Sequence, residues 1–78
     1  MALEPPDEMV EGDDLRPADW DIIDVLRDGR NISPNIAREA DVTRQYVTER
    51  LAEMRKYGIV ENLGSGLYEL REDQVPEK

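Results

Sequence analysis

Two strong pieces of punctuation begin eight residues apart, and that spacing limits what the middle of the chain can build. Ser33-Pro34 is a helix start signal, with Ser as the N-cap and Pro at the first helical position. Asp41-Val42 makes a tight corner, and Thr43 behind it is a second cap. The helix in between, about eight residues long, puts Ile36, Ala37 and Ala40 on one face. A longer helix follows over 43–57, with Val47, Leu51 and Met54 at i, i+4 and i+7 as its buried stripe and Gly58 as its stop. Two helices joined this closely must meet at a steep angle and share one apolar face. Ala37 fits that demand, since close approach leaves no room for a larger side chain. Such a corner normally prefers Gly; Asp41 stands there instead, a residue that visits left-handed backbone more readily than most.

The flanks complete a small α+β pattern, mostly helical with one β-hairpin. Pro17 opens a first helix over 17–28, carrying Trp20, Ile22, Ile23, Val25 and Leu26 at helical spacing, with Asp19 and Asp21 near its positive end and Gly29 after it. Trp20 and this stripe read as core. Arg16 is a poor cap. Asn31-Ile32 can supply a very short extended segment. After Gly58, the runs 59–63 and 67–70 are separated by Gly64-Ser65-Gly66 and read as a hairpin. The full chain has 78 residues, enough for one small domain, expected over 16–71. Ahead of it, residues 1–15 carry six acids and no base, with Pro5-Pro6 and Gly12 among them, and read as a disordered acidic leader. Residues 72–78 read as a polar tail.

Composition removes whole classes of chemistry. With no Cys and no His there is no disulfide, no thiol nucleophile, no imidazole base and no zinc site of the usual kind. Asp21, Asp24 and Asp28 on the first helix read as a solvated face, because nothing else in the chain supports catalysis. No metal, cofactor or small-molecule effector is expected, and an enzyme is the least favoured class. There is no apolar run of membrane-spanning length, and the acidic start is unlike a signal peptide, so a cytoplasmic protein is expected.

The second helix, the corner and the third helix fit the helix-turn-helix pattern, in which the longer helix enters the major groove of DNA. Stepping about 100° per residue from Val47 puts Gln45, Glu49, Ala52 and Lys56 near the outward centre, with Thr48 and Tyr46 on the flanks. The N-terminal half of such a helix reaches base edges, which singles out Arg44, Gln45, Tyr46, Thr48 and Glu49. Arg suits guanine, Gln adenine, Thr the thymine methyl and Glu the cytosine amine. For Tyr46, packing against the second helix is the equal alternative. Ser33, Arg38, Thr43, Arg50, Lys56 and Ser65 are the candidate phosphate contacts, each with a simple cap, turn or surface charge as its alternative.

Thr43-Arg44-Gln45-Tyr46-Val47, Glu49-Arg50-Leu51 and the run from Tyr57 to Gly64 resemble the winged-helix domains of the haloarchaeal phage phi-H repressor-like family, and more loosely the MarR and ArsR-type regulators. The resemblance covers roughly residues 17–70. It implies a three-helix winged helix-turn-helix fold and a sequence-specific transcriptional regulator, a repressor by the family's type, with the hairpin 59–70 as the wing. It implies an archaeal source as well. Glu49 departs from the basic residue of many relatives; it either reads a cytosine or weakens binding.

Charge weighs against this reading. The chain has 10 Lys+Arg and 19 Asp+Glu, a net −9, where a DNA binder usually shows a basic footprint. Halophilic adaptation reconciles the two: bases are mostly Arg, only Lys56 and Lys78 are lysines, and at molar salt repulsion is screened within about 3 Å. The competing accounts are a protein-interaction winged helix, an adaptor in a transcription or replication assembly, and an acidic leader that occupies the DNA face of its own domain. A homodimer would match a palindromic operator, but no long coiled-coil segment is present to make one.

Overall fold

Helix ends organise the fold. The structure, a computed structural model, describes residues 14–77. It consists of α1 (Pro17–Arg27), β1 (Asn31–Ile32), α2 (Ser33–Ala40), α3 (Arg44–Lys56), β2 (Val60–Asn62) and β3 (Leu67–Leu70), closed by a short 3-10 turn, Glu72–Gln74. The expected leader lies, for residues 1–13, outside the described residues. Its last residues belong to the body: Leu15 is only 7 % exposed and sits in the core.

Asp41 closes α2 in the left-handed conformation, φ +58°, which lets Val42 N–H donate back to Ala37 O at 3.1 Å. This is the 6→1 bond that usually needs Gly at such a corner. The Thr43 hydroxyl oxygen then accepts from Tyr46 N at 3.1 Å and caps α3. At the far end Gly58, φ +78°, donates to Arg55 O and Ile59 N–H to Met54 O, both at 3.0 Å. Ile59 and Met54 are both fully buried, so the stop signal also turns the chain into the core.

The start of α2 differs from expectation. Ser33 is the first helical residue and Pro34 the second; Ile32 occupies the cap position with no side-chain bond. The reason is strand pairing. Asn31 and Ile32 lie opposite Tyr68 and Leu67 of β3, which holds the extended backbone one residue further into the helix start. The sheet is antiparallel in the order β1-β3-β2, with Val60, Glu61 and Asn62 opposite Leu70, Glu69 and Tyr68.

The core joins Ile22, Ile23 and Leu26 of α1, Ile36 and Ala37 of α2, Val47, Leu51 and Met54 of α3, and Ile59, Val60 and Tyr68 around the sheet. Each fully buried Ile, Leu, Val or Met contributes about 1.5–3 kcal/mol of transfer free energy. Trp20 is half-buried and packs at the margin. The polar tail is docked. Arg27 donates through Nε and Nη2 to both carboxylate oxygens of Glu72 at 3.0 Å, and Val75 packs against the core.

Candidate nucleic-acid interface

The stripe of α3 turned to the body is wider than three apolar residues. Arg50 lies on it, 9 % exposed, with Asp19 of α1 at 0 %. Arg50 Nε and Nη2 donate to Asp19 Oδ1 and Oδ2 at 2.7 and 2.8 Å, a bidentate pair. Asp19 Oδ2 also accepts from Arg16 N at 2.9 Å, so one carboxylate caps α1 and anchors α3. The bonds to Asp19 raise the Arg50 guanidinium above the ordinary arginine value, against the opposing cost of burial. Among the described residues every buried side-chain polar atom has a partner. The expectation that Arg50 contacts phosphate is therefore corrected: its charge is consumed inside the protein.

The outward side of α3 presents a different set. Arg44, Gln45, Thr48 and Glu49 are exposed, and Tyr46 is half-buried. Thr48 Oγ1 donates to Arg44 O at 3.0 Å, which ties this exposed side chain to the first turn of the helix. Thr43 is exposed, and its hydroxyl proton remains free to donate while its oxygen caps the helix. Arg44 makes no ion pair among the described residues, and neither does Arg55. From Val47, Arg44, Arg55 and Thr48 fall at about 60–100° on one flank, and Glu49, Glu53 and Tyr46 at about 200–260° on the other. One edge of the helix is cationic and the other acidic. Arg55 completes the cationic edge; sequence counts it among the bases along this helix without making it a contact, although the same wheel places it there.

The remaining candidates are dispersed. Arg38 of α2 is exposed and donates to Asn35 Oδ1, leaving it free of carboxylates. Ser33 is half-buried at the first position of the same helix. Lys56 is the last residue of α3, roughly 18 Å along the axis from Arg44, and pairs with Glu53 at 3.3 Å. Ser65 is exposed at the hairpin tip with φ +55°, between two glycines that also have positive φ.

The surface between α1 and α2 is acidic. An open cavity of about 370 Å³ between α1 and α2 is lined by Asp21, Asp24, Val25, Asp28, Glu39 and Ala40. Among the described residues no group of acids is arranged to hold a metal ion, and no helix is long and apolar enough to cross a membrane. No family model, curated protein or solved structure matches the chain.

Proposed function

We propose that this protein is a sequence-specific double-stranded DNA-binding regulator of transcription, of the repressor type, and not an enzyme. Helix α3 enters the major groove and the hairpin 59–70 serves as the wing. The observation that carries the reading is the capped start of α3: Arg44, Gln45 and Thr48 project from its first turns with no carboxylate partner, beside the open N–H groups of a helix N-terminus. Arg44 and Gln45 supply the two side chains best suited to bidentate base recognition, and Thr48 a methyl contact. Ser33, Arg38, Thr43, Lys56 and Ser65 remain for phosphate, Arg55 joins them, and Arg50 alone is withdrawn. The reading includes the resemblance of these motifs to the phi-H repressor-like family, and with it a protein working in concentrated salt.

Salt sharpens the proposal. Four phosphate contacts would lose about 4–5 decades of affinity between roughly 0.1 and 2 M salt, so base contacts must supply most of the discrimination. The experiment is selection of bound DNA from a random duplex pool at about 2 M KCl and again at low salt. Enrichment of a short motif, abolished in Gln45→Ala/Thr48→Ala, is the expected result. A folded protein that enriches nothing at either salt overturns the reading and leaves the protein-adaptor role.

A further inference from the structure

Three large apolar side chains of the sheet do not belong to the core. Ile32 and Leu63 are exposed at 45 % and 41 %, and Leu67 is half-buried without being packed on the core cluster. The register places them in one row. Ile32 lies opposite Leu67, and Leu63 N–H donates to Leu67 O at 2.7 Å, continuing the Asn62–Tyr68 pair. Residues opposite one another share a face, and Tyr68, the next residue of β3, is turned to the core. The row therefore lies on the outer face. Beside it on that face is a charged row: Glu61 opposite Glu69, with Arg71 on Glu61 at 2.7 Å and Arg30 near Glu69 at 3.8 Å.

We propose that this outer face is a self-association surface, on which the row Ile32–Leu67–Leu63 packs against the same row of a second copy of the chain. Symmetry and charge select the occupant. An isologous contact needs a two-fold axis between the two sheets. An axis along β3 brings Ile32 over the partner's Leu63, Leu67 over the partner's Leu67, and Arg30 over the partner's Glu61. An axis across the strands would lay the glutamates over the Gly64-Ser65-Gly66 tip, where no charge answers them. The first arrangement is aligned sheet packing at about 10 Å separation. Glu69 then meets its own copy across the axis, with Arg30 of each chain beside it.

The surface is small. Three apolar side chains per copy fall well short of the roughly 1,200–2,000 Å² of a stable interface, so the association is weak and concentration-dependent. Each chain carries a net −9, and that repulsion is screened within about 3 Å at 1 M salt. Association consequently strengthens as KCl rises. None of this depends on the DNA reading.

The experiment follows amide spectra and sedimentation of the full chain from about 20 μM to about 1 mM, at low salt and at about 2 M KCl. Expected are concentration-dependent shifts confined to residues 30–32, 61–63 and 67–69, with a rise in mean mass that grows with KCl. Ile32→Thr/Leu63→Thr should weaken association at least tenfold while the thermal midpoint holds. At low salt, where charge pairing is least screened, Glu61→Arg should weaken it and adding Arg30→Glu should restore it; at about 2 M KCl, where the apolar row carries the contact, both effects should shrink. A chain monomeric throughout at both salts, or shifts mapping to another face, overturns the proposal. So does shielding of the Ile32 and Leu63 methyls from a soluble paramagnetic probe already in the monomer, which would make a segment of the same chain the occupant.

Discussion

Arg44 and Arg50 stand on the same helix, and they do opposite things. Arg44 is exposed and free of carboxylates; Arg50 is nearly buried and held by two hydrogen bonds from its guanidinium to Asp19. The inner face of α3 uses an arginine to fix the helix on α1, and the outer face keeps one available for something else. Position around the helix and the nearest carboxylate decide the role of the residue.

The largest expected effect comes from breaking the inner pair. Arg50→Ala leaves the Asp19 carboxylate buried without its counterion and is expected to cost about 3–5 kcal/mol, enough to unfold much of a domain this small. Replacing both, as Asp19→Leu/Arg50→Met, is expected to recover part of that loss: a packed apolar pair often equals a buried ion pair, but the cap that Asp19 gives Arg16 N is lost as well. Denaturant unfolding at fixed salt, carried through the double-mutant cycle, measures both. An Arg50→Ala protein as stable as the parent would show that the bridge does not hold the helices together.

The outer face should answer in the opposite way. Gln45→Ala is expected to cost about 1–3 kcal/mol in binding to a selected DNA site, with altered sequence preference. Its unfolding free energy should move by less than about 0.5 kcal/mol. Fluorescence anisotropy against the selected duplex, alongside a thermal melt, separates the two quantities. Thr43 lies between these cases because its hydroxyl caps α3. Thr43→Ala should lose about 1 kcal/mol of stability, and Thr43→Ser should restore it.

The smallest effect belongs to the exposed pair Arg27–Glu72. Hydrogen bonding from Arg27 holds the Glu72 carboxyl below the usual glutamate value. A depressed folded-state value stabilises the protein above the unfolded glutamate pKa, and the contribution disappears as pH falls through the depressed one. Acid unfolding of Glu72→Gln should accordingly lack that last portion of the pH dependence, while near neutral pH the variant stays close to the parent. An exposed pair of this kind is worth little, and less in concentrated salt.

Much of the fold was legible because its signals are local. The Asp41-Val42 corner, the Thr43 cap and the Gly58 stop each act within five residues, and each appears where the sequence places it. The Ser33 cap did not, because pairing of Asn31 and Ile32 with β3 is a long-range contact that local propensity does not contain. Leu15 and Val75 join the core for the same kind of reason: single apolar residues in polar surroundings give no periodic signal. The inner pair was readable in principle. Arg50 falls about 60° from Val47 on the helical wheel, and Asp19 lies three and four residues before Ile22 and Ile23, so two opposite charges interrupt two apolar stripes. The Arg-for-phosphate expectation counted the charge and overlooked its azimuth.

The Asp19–Arg50 bridge joins residues 31 apart in sequence, one on the first helix and one on the third. Opening either helix alone would strand a charge in the interior. Amides of Ile22 and Ile23 should therefore exchange with solvent at the same slow rate as those of Leu51 and Met54, as parts of one cooperative unit. The hairpin tip, with no such tether, should exchange first. The domain is then expected to unfold as one event with a frayed edge, and the outward side of α3 to share the rigidity of a helix held from behind.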